Sequence, residues 1–344
     1  ADYNTINNCE VMMPITTTSA VSGIVMSNSL TSSTTSGNTG NYNTFSNTKV
    51  VGAYYGATMM GTSTTVFGMS NKLQNCTFEN FYVYGVYFAY QEDGEISGCD
   101  INRATLGSIS TFYGMYFFSV NPGFLISANK IHDNATLNPL AAISSYPIYS
   151  SAGLGTTLKP MKIYNNAIYN IKGNGIQYGM YLTGTCDYFE IYHNTISLDY
   201  AAQTGTSAIA GIYHTGTATG VHLRNNIINV NNGSTGTKYL IWFSNTAPAF
   251  TSNYNVLTFG SAGGATITAR RGTTNSATLI DWQMSNGSIY DQNSVDANPV
   301  FASASQGNMQ PLNSGINNLG TPVGILTDLS GAARSVTTPD LGAL

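Results

Sequence analysis

The sequence predicts an all-β solenoid of short parallel coils, and three observations predict it. One apolar-x-x-Asn/Cys-x-apolar motif recurs along most of the chain, a second Gly-apolar-aromatic motif recurs between its copies, and both share a period near thirty residues. The third observation is composition: charged residues make up only 8% of the 344, whereas 37 Asn, 36 Gly and 23 Tyr are present. Helix bundles and coiled coils need Lys/Glu-rich faces, and this chain has none to offer.

The first motif reads Ile6-x-x-Cys9-x-Val11, Leu73-x-x-Cys76-x-Phe78, Ile96-x-x-Cys99-x-Ile101 and Ile126-x-x-Asn129-x-Ile131. It continues at Ile163, Ile191 and Leu223, with Asn166, Asn194 and Asn226 at the central position, and Asn43-x-Phe45 fits its second half. The central positions are then Cys9, Asn43, Cys76, Cys99, Asn129, Asn166, Asn194 and Asn226, separated by 34, 33, 23, 30, 37, 28 and 32 residues. Such variable gaps fit stacked coils, in which one turn lengthens without disturbing its neighbours.

The second motif reads Gly52-Ala53-Tyr54, Gly85-Val86-Tyr87, Gly114-Met115-Tyr116, Gly179-Met180-Tyr181 and Gly211-Ile212-Tyr213, with Pro147-Ile148-Tyr149 and Leu240-Ile241-Trp242 as variants. Gly23-Ile24-Val25 begins the series. The segments are short, β-branched and aromatic, with no 3.6-residue stripe, so helical repeats are excluded. A propeller blade needs about 40 residues and a leucine-rich repeat needs a core that is absent.

These segments, Ile163-Tyr164-Asn165-Asn166-Ala167-Ile168 and Gly179-Met180-Tyr181-Leu182 among them, resemble the right-handed parallel β-helix family of pectin-lyase-like fold. The resemblance covers residues 1–257 and implies about 8–10 coils of about 31 residues, with inward Asn side chains forming a ladder in a tight turn. Asn also tolerates the left-handed backbone such a turn uses. Residues 258–344 are expected to form the final irregular coils and the C-terminal cap of the same solenoid. That region, with Asp328-x-x-Gly331-x-x-Arg334 and the close Asp340-Leu341-Gly342-Ala343, resembles the last coils of large secreted bacterial surface proteins, including those exported by type IX secretion in Bacteroidota.

Alternation along a strand puts Val86, Met115, Ile148, Met180, Ile212 and Ile241 inside, together with a column of Tyr84, Tyr113, Tyr146 and Tyr178. The same register sends Tyr54, Tyr87, Tyr116, Tyr149, Tyr181, Tyr213 and Trp242 outward, one strand spacing of about 4.8 Å apart. That column is either covered or spent on mutual stacking, or it is a track for sugar rings, or it is a contact for another protein. Cys76 and Cys99 fall on neighbouring coils, close enough for a disulfide or for a stacked pair of thiols. No Cys/His spacing resembles a zinc site, and no cofactor is expected. The acidic turn Glu92-Asp93-Gly94-Glu95 is read as solvated in preference to a calcium loop.

Twelve basic residues in a chain of net charge −4 make nucleic acid an unsuitable partner. No run of eighteen apolar residues is present, so no membrane insertion is expected. The motifs Asn-Thr-Asp, Asp-Asp, Gly-His-Gly and Arg-Ile-Lys of the family's hydrolases are missing. The best outward cluster for catalysis is Lys162, Glu190 and His222 on three successive coils, flanked by Tyr164, Tyr192 and Arg224, but it is read as a solvent-exposed cross-strand charge ladder in preference to an active site. The expected role is a secreted structural or adhesive β-helix of a bacterial surface or extracellular fibre, partnered by neighbouring copies, other surface proteins or neutral polysaccharide. The alternative is a polysaccharide lyase or glycoside hydrolase of the same fold.

Overall fold

The computed structural model describes residues 2–107, 109–246, 249–260 and 263–344. Each coil contributes one strand to each of three sheets. Sheet I runs over nine strands from Thr5–Asn7 to Ala249–Asn253, and sheet II over nine from Glu10–Met12 to Val256–Phe259. Sheet III starts at Ser22–Met26 and reaches Thr266–Arg271, where an antiparallel strand, Thr274–Ser276, ends it. The expected parallel solenoid is therefore what the chain forms.

The interior is built of aligned columns. Leu73, Ile96, Ile126, Ile163, Ile191 and Leu223 come from sheet I, and Phe78, Ile101, Ile131, Ile168, Ile196 and Ile228 from sheet II. Sheet III supplies Val86, Met115, Ile148, Met180, Ile212 and Ile241, as the alternation predicts. Burying each such side chain stabilises by about 1.5–3 kcal/mol, so the seam holds together through many equal increments.

The expected inward Tyr84 column is not inside. Gly85 and Val86 both face the core, because the strand enters sheet III through a corner. A Cβ on Gly85 would lie 2.4 Å from the Gly114 carbonyl oxygen and 2.8 Å from Ile101 Cγ2, so only glycine fits there. Two consecutive inward residues break the alternation and turn Tyr84, Tyr113, Tyr146 and Tyr178 to the outer side.

The turn between sheets I and II carries the amide ladder. Asn129 Nδ2 donates to Asn166 Oδ1 at 2.9 Å, Asn166 Nδ2 to Asn194 Oδ1 at 2.9 Å, and Asn194 Nδ2 to Asn226 Oδ1 at 3.1 Å. Each also donates to a carbonyl of the preceding coil: Ile96, Ile126 and Ile163. The ladder extends one rung further than the motif reached, to Asn255, which accepts from Asn226 Nδ2 at 3.1 Å. The left-handed residue of the turn is the one before each rung, such as Asn165 (φ 54), His193 (φ 51) and Asn225 (φ 59), and not the rung itself.

Asn43 is not a rung of this ladder. Thr44–Ser46 pairs with Thr5–Asn7 and Lys49–Val51 with Glu10–Met12, which leaves Thr48 opposite Cys9. Asn43 belongs to a second, shorter ladder between sheets III and I, accepting from Asn4 Nδ2 at 2.8 Å and donating to Asn71 Oδ1 at 3.0 Å.

Beyond the last coil, helix α1 (Leu279–Met284) opens on a capping box between Thr278 and Asp281. Trp282 and Tyr290 stack on each other at 4.6 Å, and Tyr290 stacks on Phe250 at 4.5 Å, which closes that end of the core. The rest of the chain then runs back along the flank. Asn225 Nδ2 donates to the Thr321 carbonyl and Asn165 Nδ2 to the Thr327 carbonyl, each at 2.7 Å. The buried Arg334 guanidinium binds Asn165 Oδ1 at 3.0 Å and the Gly342 carbonyl at 2.8 Å.

Candidate functional site

Two outer surfaces carry chemistry beyond what the coils need. The first is the outer face of sheet III. Register places Tyr87, Tyr116, Tyr149, Tyr181, Tyr213 and Trp242 in one column, as expected from the sequence. Tyr54 is not in it: Tyr87 pairs with Thr58, and Val86 with Ala57. The in-register triplet of that coil is Gly56-Ala57-Thr58, while Gly52 and Ala53 form a left-handed corner (φ 85 and 67). Tyr54 packs beside the face against Tyr55, Tyr82 and Tyr84.

The outward-turned Tyr55, Tyr84, Tyr113, Tyr146, Tyr178 and Tyr239 form a second column beside the first. Over the third to fifth coils the rings within a column are parallel, Tyr84–Tyr113 at 4.8 Å and 13° and Tyr87–Tyr116 at 4.6 Å and 13°, whereas further along Tyr149 and Tyr181 stand at 77°. Between the columns Tyr84–Tyr116 at 87° and Tyr113–Tyr149 at 82° are perpendicular, and Tyr146–Tyr181 is tilted at 36°. Edge-to-face contacts set the positive edge of one ring on the negative face of the next. This zone is a herringbone of half-buried phenols, and Arg270 lies over Trp242 at its far end. Burial drives Tyr55, Tyr116 and Tyr181 up to about 12, so these three hydroxyls are intact donors.

The second surface is a groove of about 440 Å³ over sheet I, roofed on one side by Val323 to Thr327 of the returning tail. Lys162, Tyr164, Glu190 and Tyr192 form its floor. Lys162 and Glu190 are register partners with Nζ and Oε2 3.7 Å apart. His222 pairs with Glu190 in register, yet its Nδ1 meets Thr251 Oγ1 at 2.8 Å, and burial together with Arg224 lowers its pKa. The three residues do stand in one row, but the hydrogen bonds divide them into an ion pair and a separate His–Thr contact. The tail wall was not legible in the sequence, because nothing in the motifs says that 323–327 returns to coils six and seven.

Several other titratable groups are committed within the fold. Lys159 Nζ binds Glu92 and, at 2.7 Å, Asp93, so an ammonium sits on the acidic turn. Among the described residues no group of three or more His, Cys, Asp or Glu side chains is placed to hold a metal ion. His132 stacks on Tyr169 and lies between Asp133 (2.7 Å) and Asp100 (3.1 Å). Burial opposes its charge, but the two carboxylates outweigh that and raise it to about 9. His193 and His214 are fully buried, and desolvation drops them to about 3 and about 4. All four cysteines are free, with Cys76 and Cys99 buried on adjacent rungs. Among the described residues no helix is long and apolar enough to cross a membrane.

A family model described as right handed beta helix region matches residues 66–257. No curated protein matches the chain. No solved structure matches it either.

Proposed function

The chain belongs to the right-handed β-helix family, and from that membership we propose that it is a secreted structural and adhesive β-helix of a bacterial surface or extracellular fibre. Its contact surface is the outer face of sheet III, and the class of ligand is neutral polysaccharide. The observation that carries this reading is the double column of tyrosines. A flat file of uncharged phenols, repeated at the strand spacing, offers ring edges and hydroxyl donors to a regularly repeating neutral chain. The very low charge of the whole molecule supports the same partner, since acidic polymers would find few cations.

Cleavage in the sheet I groove has less support. A glycoside hydrolase needs two carboxyl groups about 5–10 Å apart, and Glu190 is the sole carboxylate lining the groove, held by Lys162.

The test is affinity electrophoresis against neutral and acidic polysaccharides, using the wild type and a Tyr87→Phe, Tyr116→Phe, Tyr149→Phe triple variant. The variant keeps the ring packing and removes three hydroxyls. Retardation by a neutral polymer, weakened about tenfold or more in the variant, is the expected result. Equal retardation of both proteins, or none by any neutral polymer, would overturn the reading.

A further inference from the structure

The turn between sheets I and II holds one rung per coil, and its chemistry changes at the fourth coil. From Asn129 to Asn255 every rung is an amide that reaches back to a carbonyl of the preceding coil. At Cys99 and Cys76 a thiol fills the same place. Cys99 Sγ lies 3.6 Å from the Leu73 carbonyl and Cys76 Sγ 3.4 Å from the Phe45 carbonyl, the equivalent acceptors one coil back. The two sulfurs therefore point the same way along one column, each toward a carbonyl of the preceding coil. Asp100 pairs with Thr77 and the Asp100 N–H donates to the Cys76 carbonyl, so the two cysteines are register neighbours. Neighbouring strands lie about 4.8 Å apart, inside the Cα separation of about 4.4–6.8 Å that a disulfide bridges.

We propose that Cys76 and Cys99 are a modification site: a thiol pair that a small peroxide converts into a disulfide joining the third and fourth coils. The nearest opening is a groove of about 520 Å³ lined by Asn75, Gly98 and Cys99, with Thr327 to Gly331 of the tail opposite; Cys76 is buried beneath it, next to the lining residue Asn75. A peroxide is little larger than water and needs no larger opening. The two thiols are also unequal in the way the chemistry requires. The neighbouring Cys99 thiol lowers the Cys76 pKa, while burial raises that of Cys99, so Cys76 is the first of the two to ionise and Cys99 keeps its proton longer.

The Cys76 thiolate attacks one peroxide oxygen, the O–O bond breaks, and hydroxide leaves, giving Cys76 sulfenic acid. The Cys99 sulfur then attacks the Cys76 sulfur. The S–S bond forms, the S–O bond breaks, and the departing hydroxide takes the Cys99 proton as water. Overall, two thiols are oxidised by two electrons and one peroxide is reduced to two waters. The other cysteines serve as internal controls. Cys186 is buried and pushed up to about 12 by desolvation, and Cys9 is exposed with no cysteine beside it in register.

The experiment treats the folded full chain with a modest excess of hydrogen peroxide, then quenches it in denaturant with an alkylating agent and counts thiols by mass. The expected result is a fall from four alkylated thiols to two, with peptide mapping that links Cys76 to Cys99 and no covalent dimer. Cys99→Ser should stop at a Cys76 sulfenic acid that dimedone captures, and Cys76→Ser should leave Cys99 reduced. Circular dichroism of both serine variants checks that they fold. Four alkylatable thiols after treatment, or Cys76 sulfinic acid in place of the disulfide, would overturn the proposal.

Discussion

Asn255 Nδ2 donates to Asp291 Oδ1 at 2.9 Å, and with that bond the amide ladder ends on a buried carboxylate. Each rung from Asn129 to Asn226 gives one Nδ2 bond to the Oδ1 of the next rung, and Asn255, with no further rung, gives that bond to Asp291. Asp291 also accepts from Trp282 Nε1 at 2.8 Å and Ser294 Oγ at 2.5 Å, which ties α1 and the closing aromatic stack to the ladder. Asp291→Asn replaces an acceptor oxygen with a donor among three donors. It should cost about 3 kcal/mol, read as a fall in the denaturant midpoint. An unchanged midpoint would mean that the aromatic stack alone closes the end.

The thiol rungs lack what the amides supply. In Cys99→Asn the new Nδ2 is positioned to reach the Leu73 carbonyl and Asn129 Oδ1, so the variant should gain about 1 kcal/mol. The reverse change at a working rung, Asn166→Ala, removes bonds to Asn194, Ile126 and Asn129 together and should lose about 2–4 kcal/mol. Paired unfolding curves of the two variants with opposite signs would establish the ladder as the cause.

His132 makes stability depend on alkaline pH. Its pKa in the fold, about 9, lies above the ordinary 6.5. Its contribution is therefore complete below about pH 6.5 and is lost as pH rises through about 9, to a total of about 2–3 kcal/mol. Thermal midpoints should fall across that interval in the wild type, and His132→Gln should flatten the fall. A midpoint that stays level from pH 6.5 to 9.5 in the wild type would contradict the Asp100–His132–Asp133 arrangement.

The tyrosine face should resist ionisation. Burial holds Tyr55, Tyr116 and Tyr181 up at about 12, above the ordinary value of 10, so the phenolate absorbance of these three rings should be missing at pH 10.5. The sign is the same as for His132: protonated rings favour the fold, and the contribution disappears as pH rises through about 12. A spectrophotometric titration in which nearly all of the 23 tyrosines ionise below pH 11 with the fold intact would show that the herringbone is open to water.

The returning tail is latched by Arg334. Arg334→Ala removes its bonds to Asn165, Gly342 and Asp340. Amide exchange in residues 320–344 should accelerate at least tenfold while the strands of sheet II stay protected. Acceleration spread equally over the coils would mean that the tail is part of the core and no mere strap.

The solenoid, its period and its core columns are all legible in the order of residues. One apolar side chain per strand must recur wherever coils stack, and a regular row of Ile, Leu, Val and Met leaves an unmistakable trace. The same order also marked the amide rungs from Asn129 to Asn226, because a buried turn of that shape leaves few side chains able to satisfy the backbone. Whatever depended on the corners between strands emerged in three dimensions. Thr48 replaced Asn43 on the ladder, and Thr58 replaced Tyr54 in the column, since a short motif carries no record of how many residues its neighbouring corner consumes. Tyr84, Tyr113 and their partners moved outside because two successive residues, such as Gly85 and Val86 or Leu240 and Ile241, face inward after them, which simple alternation does not foresee. The groove walls and the latch on Asn165 join residues 162 to 169 positions apart. A repeat describes contacts between successive coils, and the tail lies outside that period.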